Sequence, residues 1–103
     1  MKLPTFGILI PLLALSVFAH ERAHAQDTRG ADLAVTCSGC HGTNGRSASG
    51  MPTIAGLDQA YIVKQMNDFK SGARPATVMH QIAKGYNDEQ IASLAAYFSA
   101  QKN

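Results

Sequence analysis

The sequence has only two cysteines and few charged side chains, and each shortage excludes a class of protein. A disulfide between cysteines three residues apart would close a very small loop, so it would contribute little stability. Charged residues make up 16% of the 103 residues and the formal net charge is +2. This charge excludes a strongly basic surface for nucleic acid or for an acidic membrane. No convincing strand pattern, internal repeat or low-complexity tract is present.

Long apolar runs are also missing. The longest, residues 6–19, is too short for a comfortable membrane span and is soon followed by charged residues. The segment Ala23-His24-Ala25 then matches the A-x-A pattern at which signal peptides are cleaved. The sequence therefore predicts a cleaved signal peptide at residues 1–25 and an exported domain at residues 26–103. A retained membrane anchor is the alternative.

The most informative segment is Cys37-Ser38-Gly39-Cys40-His41, the C-x-x-C-H pattern of covalent haem attachment. On a helical turn the two cysteines share one face, so both sulfurs can bond to the vinyl groups of one haem. The His41 imidazole can reach the iron from the same side. The alternatives are a thiol–disulfide pair of thioredoxin type, a plain disulfide or half of a zinc site. The thioredoxin-type pair lacks the strands that normally surround it, and the zinc site lacks further cysteine ligands. We therefore predict one covalent haem c.

Helical periodicity appears in three further stretches. The predicted helices run from about Gly30 to Cys37, from Asp58 to Lys70 and from Asp88 to Ala100, with a short helical segment at residues 77–84. The predicted fold is all-α, with three main helices and short helical turns wrapped around one covalent haem. A short chain struggles to stabilise itself by core burial alone, and a covalent haem offers a large apolar body on which helices can pack.

Residues 42–50 are rich in Gly, Ser and Asn and are predicted to form a loop. Pro52 follows this loop. An iron-ligating histidine usually donates its second ring N–H to a backbone carbonyl or a carboxylate. We therefore predict that the Pro52 carbonyl accepts a hydrogen bond from His41.

A low-spin electron carrier needs a second axial ligand, and methionine and histidine are the usual choices. Met66 lies on the apolar stripe of a predicted helix and is most simply a core residue. Met79 lies in a segment between two helices, where a thioether can be brought over the far face of the haem. We predict Met79 as the ligand, with His80 as the first alternative and Met51, in the loop on the His41 side, as the last.

Residues 26–103 as a whole resemble a small class I cytochrome c. Residues 51–57 are similar to the Gly-Pro-x-Leu-x-Gly stretch of that family, with Met51 where glycine is commoner, and residues 94–98 resemble its C-terminal helix. A narrower resemblance, over residues 68–86, is to the cytochrome subunit of flavocytochrome c sulfide dehydrogenases. In that pattern the methionine after Thr-Val is the sixth ligand, which again indicates Met79. The single C-x-x-C-H departs from the diheme members.

This resemblance implies a periplasmic electron-transfer protein rather than an enzyme. Its partner would be another redox protein, with a flavoprotein that oxidises sulfide as the partner implied by the narrower resemblance. Neither nucleic acid nor a stable membrane anchor after signal cleavage is expected. The alternatives are a free soluble carrier between respiratory complexes, a haem enzyme or gas sensor with a labile sixth ligand, and a thiol–disulfide protein without haem.

Overall fold

Four α-helices and one 3₁₀ turn make up the regular structure of the described part of the chain. The computed structural model describes residues 2–4 and 28–102. The elements are α1 (28–41), a 3₁₀ turn (Thr43–Gly45), α2 (Gln59–Ser71), α3 (Met79–Ala83) and α4 (Asp88–Ser99). No strand occurs in these residues, and the predicted all-α fold is confirmed. Nearly all of the predicted signal peptide at residues 1–25 lies outside the described residues, so it stays a prediction.

Helix α1 is longer than predicted at its C-terminal end. The prediction ended it at Cys37, whereas the structure continues it through His41. The Ser38 hydroxyl donates to the carbonyl of Val35 at 2.6 Å, a local bond that is compatible with a helix. The first residue that departs from helical geometry is Gly42, at φ 83°. As a result, both cysteines and His41 lie on one continuous helix.

The other two long helices begin as predicted. The Asp58 side chain accepts the backbone N–H of Tyr61 at 3.0 Å and caps α2, which ends at the left-handed Gly72. Asn87 and Gln90 form a reciprocal capping box at the start of α4. Helix α3 is shorter than the predicted residues 77–84, because Val78 has a non-helical backbone and provides no side-chain cap.

The buried core is organised around α4. Its buried side chains are Ile91, Leu94, Ala95 and Phe98. The last three form one cluster with Ala34 of α1 and Ile62 of α2. Gly30 of α1 lies so close to α4 that an added Cβ would be 2.6 Å from the Ser93 carbonyl oxygen and 3.0 Å from Tyr97 Cβ. The close crossing fixes α1 against α4, and thereby fixes the helix whose last turn carries the C-x-x-C-H segment.

Candidate haem site

The two cysteines lie in the last turns of α1 with both thiols unpaired. Cys37 is partly buried and packs against the core cluster, while Cys40 is exposed. Burial raises the pKa of the Cys37 thiol, and a hydrogen bond with the Thr36 side chain lowers it by a smaller amount. Cys37 is therefore a protonated thiol at neutral pH in the folded, haem-free chain.

His41 is oriented by the loop that follows it. Its Nδ1 lies 2.7 Å from the carbonyl oxygen of Pro52. Because a carbonyl oxygen can only accept, Nδ1 carries the proton and donates. The other ring nitrogen, Nε2, is then the unprotonated one and has a lone pair for a metal. The structure thus contains the hydrogen bond that the sequence predicted.

The loop between His41 and Pro52 is closed by several hydrogen bonds. The Gly45 carbonyl accepts the backbone N–H groups of Ile54 at 2.9 Å and Ala55 at 3.2 Å. The Ser47 N–H donates to the Thr53 hydroxyl at 3.1 Å. Pro52 therefore lies in a segment that is paired back onto the turn directly after α1.

The four candidates for the second ligand lie in different surroundings. Met66 packs against the core cluster, which agrees with a core role. Met51 is 44% exposed and directly precedes Pro52, so it lies in the loop that contacts His41. Met79 is the first residue of α3 and is partly buried. His80 is also partly buried, and its Nδ1 is buried with no hydrogen-bond partner among the described residues.

Comparison with known families identifies the family of the chain. The cytochrome c family profile matches residues 28–102, a segment that contains the C-x-x-C-H motif and every candidate second ligand. This chain belongs to the cytochrome c family. It is an electron-transfer protein whose cofactor is covalent haem c, as the sequence predicted.

Known relatives of this cytochrome c differ in length. It is 47% identical over 72 residues to the cytochrome subunit of sulfide dehydrogenase from Chlorobaculum tepidum, covering 70% of this chain and 66% of that protein. It is 35% identical over 77 residues to cytochrome c-554(548) from Halomonas halodenitrificans, covering 71% and 93%. The solved cytochrome c4 of Acidithiobacillus ferrooxidans superposes with a TM-score of 0.66 at 33% identity, covering 74% and 50%. The chain spans less than half the length of two further curated relatives, 46% of each.

The residues of this cytochrome c fit a covalent haem. Both thiols are unpaired and lie within two turns of one helix, and the imidazole beside them has one nitrogen free. Val78 directly precedes Met79, and Ile82 follows it by three residues. The side chains of both are apolar, yet they are 55% and 39% exposed. Exposed apolar side chains close to a candidate ligand are typical of a site that an apolar group covers.

A protein-only metal site is not supported by the described residues, which contain no group of three or more His, Cys, Asp or Glu side chains that could hold a metal ion. The zinc alternative for the two cysteines therefore lacks its remaining ligands.

Within residues 2–4 and 28–102, no helix is long and apolar enough to cross a membrane.

One contact of the site was not predicted. The Tyr97 hydroxyl donates to Asn44 Oδ1 at 2.7 Å, which ties α4 to the turn after His41. The sequence placed Asn44 in a loop and Tyr97 in the C-terminal helix. Asparagine before glycine is typical of a left-handed turn residue, and Asn44 has φ 56°. Its partner lies 53 residues away in the chain, and no local pattern indicates that pairing.

Proposed function

We propose that this cytochrome c is a periplasmic single-haem carrier held together by five residues. Cys37 and Cys40 form the thioether bonds, His41 and Met79 are the axial ligands, and the Pro52 carbonyl orients His41. The observation that carries this assignment is the 2.7 Å contact between His41 Nδ1 and the Pro52 oxygen, on the same helix end as two unpaired thiols. It leaves Nε2 for the iron, as in other histidine–metal sites.

The bound haem supplies a one-electron iron couple, and the chain adjusts it from both sides. A hydrogen bond from His41 to a carbonyl raises the basicity of the imidazole and favours Fe(III). A methionine thioether favours Fe(II) and raises the potential. If Met79 binds the iron opposite His41's helix end, as we propose, it would leave no open position for a small molecule, which favours electron transfer over ligand chemistry.

We assign the electron donor as a flavoprotein that oxidises sulfide. The 47% identity with a sulfide dehydrogenase cytochrome subunit supports this choice. A basic cleft of about 270 Å³ also supports it, because it could attract an acidic surface. The cleft lies between the end of α2, the following connection and α3, and the positively charged residues that line it are Lys70, Arg74 and Lys84.

Two of these cations have fixed positions in the structure. The Arg74 guanidinium lies 4.8 Å from the centre of the Phe69 ring and also donates to the Gln65 side chain. The Lys70 ammonium donates to the Tyr86 carbonyl at 2.7 Å. No carboxylate belongs to the described lining of the cleft. A positive surface of this kind speeds association with an acidic partner, and the effect falls with salt.

A free carrier is the second candidate. It is favoured by the match to cytochrome c-554(548), of whose length this chain covers 93%, so a single domain of this size occurs as a named cytochrome. The two candidates differ in whether the chain forms a stable complex with the flavoprotein.

The experiment is an absorption spectrum of the native protein, purified at low salt from the periplasm of its own cells. Haem bands together with stoichiometric flavin absorption support the sulfide dehydrogenase subunit. Haem bands alone support the free carrier. Absence of haem would overturn both candidates and return the two cysteines to a thiol–disulfide role, which reaction with thiol reagents after reduction would then demonstrate.

A charge-reversal variant tests the basic cleft. Arg74→Glu should slow reduction by the flavoprotein about tenfold at low salt and much less at high salt, because steering depends on ionic strength. Lys102→Glu is the matched control, since it makes the same change in charge outside the cleft lining. Equal slowing by both variants would show that net charge, not the cleft, attracts the partner.

Carbon monoxide separates electron transfer from a haem enzyme or gas sensor. The reduced native protein should not bind it. Binding without prior denaturation would favour a labile sixth position.

A further inference from the structure

The turn directly after His41 is tied to α4 by one side-chain pair. Asn44 has a left-handed backbone, φ 56° and ψ 22°, and its Oδ1 accepts the Tyr97 hydroxyl at 2.7 Å. Tyr97 is itself fixed, because its Cβ lies against Gly30 of α1. Its ring also makes an edge-to-face contact with the Phe98 ring, with 5.2 Å between the two ring centroids. The turn is thus attached to the most buried helix of the fold.

A short series of contacts connects this pair to the Pro52 carbonyl. Gly45, next to Asn44, is buried, and an added Cβ would be 2.8 Å from both Ile54 Cγ1 and Phe98 Cδ1. The Gly45 carbonyl accepts the N–H groups of Ile54 and Ala55. Pro52 is only two residues before Ile54. A shift of the turn at Asn44 would therefore move Pro52 relative to His41.

The same segment is also held from α4 at its far end. The Gly56 N–H donates to the Phe98 carbonyl at 2.9 Å. Residues 44–56 are thus bound to α4 at two points, through the Asn44 side chain and through the Gly56 backbone. The Gly56 bond persists when side chains change, whereas the Asn44 bond can be removed by a single substitution. This makes Asn44 and Tyr97 the adjustable end of the loop.

We propose that Asn44 and Tyr97 are positioning residues that set the hydrogen bond between His41 and Pro52 and thereby tune the reduction potential of the haem iron. The proposal rests on His41 as the proximal ligand. Neither residue needs to contact the haem. When the bond to Pro52 is short, His41 is a more basic ligand and Fe(III) is favoured. When the turn is released, the bond lengthens and Fe(II) is favoured.

The test removes each partner of the pair in the haem-loaded protein. Tyr97→Phe deletes the hydroxyl and keeps the ring. Asn44→Gly deletes the acceptor and keeps the left-handed turn, since glycine adopts positive φ freely. Both variants should shift the reduction potential to more positive values. Exchange of the His41 ring N–H with solvent, followed by NMR, should become about fivefold faster, the effect of weakening one hydrogen bond.

Three further variants make the test specific. Asn44→Asp retains an oxygen acceptor for Tyr97 and should keep the native exchange rate. Ser99→Ala removes a hydroxyl from α4 that bonds only within its own helix, to the Ala96 carbonyl, and should leave both readouts unchanged. The double variant Asn44→Gly/Tyr97→Phe should shift the potential no further than either single variant, because the two residues act through one bond.

Stability and ligation are measured separately from positioning. If Tyr97→Phe only lowers the midpoint of urea unfolding, with native potential and native His41 exchange, the pair is structural and the proposal is overturned. If His41 is not a ligand of the iron, a different result is expected. His41→Ala would then retain a native haem spectrum, whatever the Tyr97 and Asn44 variants do.

Discussion

The two segments next to the predicted iron ligands, His41 and Met79, are held in different ways. Residues 42–56, on the His41 side, are bound to the C-terminal part of the chain through Tyr97, the Phe98 carbonyl and the Lys102 carbonyl, which Arg46 Nε contacts at 2.5 Å. The connection 72–78, before Met79, makes its hydrogen bonds to α2 and to the start of α3, the two helices that adjoin it in the chain. One example is the bond from the Arg74 N–H to the Asp68 carbonyl at 3.1 Å.

Because of this difference, we describe His41 as a preformed ligand and Met79 as an adjustable one. Contacts between distant parts of the chain hold the His41 side at several points, so the loss of one contact leaves the others in place. Local contacts leave the 72–78 connection free to move as a unit. We therefore expect the His41 bond to be built by the protein, and the Met79 bond to be completed by the iron itself.

The largest expected difference is between His41→Ala and Met79→Ala. Loss of His41 should abolish the haem-loaded protein. Loss of Met79 should leave haem attached, remove the weak far-red band of thioether ligation to Fe(III), lower the potential and allow carbon monoxide to bind. Absorption spectra of both variants check this. Met66→Leu, a core change, should keep the band, and a band that survives in Met79→Ala would exclude Met79 as the ligand.

Two of the four glycines with positive φ in the described residues, Gly42 and Gly72, provide a matched pair for stability. At Gly42 an added Cβ would overlap the Arg46 carbonyl oxygen, whereas at Gly72 it would meet nothing within 4 Å. Gly42→Ala should therefore cost about 3 kcal/mol or more of unfolding free energy, since the loop must move. Gly72→Ala should cost about 1–2 kcal/mol, from its positive φ alone. Urea unfolding measures both values, and equal losses would contradict the contrast.

Amide exchange locates the effect of the iron–Met79 bond. In Met79→Ala, the Arg74 amide should exchange about tenfold faster than in the native cytochrome, because its segment is held only locally. The amides of Ile54 and Gly56 should keep their native rates. Hydrogen exchange followed by NMR reads out all three residues, and faster exchange at Ile54 would show that both sides depend on Met79.

The smallest effect concerns the Cys37 thiol before haem attachment. Burial raises its pKa, so less of it is thiolate in the folded chain than in the unfolded chain at the same pH. In haem-free Cys40→Ser, the pH profile of alkylation should have its midpoint at a higher pH than in the same protein in urea, and the rate near neutral pH should be severalfold lower. Coincident profiles would show that Cys37 is not buried without haem.

Local patterns were sufficient for most of the fold. Capping at Asp58 and Asn87 and the apolar spacing in α2 and α4 depend on neighbours within about one helical turn, and these elements were predicted correctly. The end of α1 was predicted four residues too early, at Cys37, whereas the helix continues through His41. Helix α3 was predicted too long, because Val78 does not continue it toward its N-terminus.

Local patterns also predicted part of the candidate site. The C-x-x-C-H motif indicates haem from spacing alone, since the chemistry requires those residues to be adjacent. The bond from His41 to Pro52 spans 11 residues and follows from the general need of a ligating histidine for an acceptor. Met79 remains a prediction.

Adjacent residues thus specified the cofactor and the helix caps, because each depends on groups held close by the covalent chain. Only the tertiary structure placed Asn44 on Tyr97, Gly30 on Ser93 and the Gly56 amide on the Phe98 carbonyl. These pairs are separated by more than 40 residues, and they form because burying the apolar face of α4 brings the two ends of the domain together. That packing, and not the haem motif, decides how firmly His41 is held.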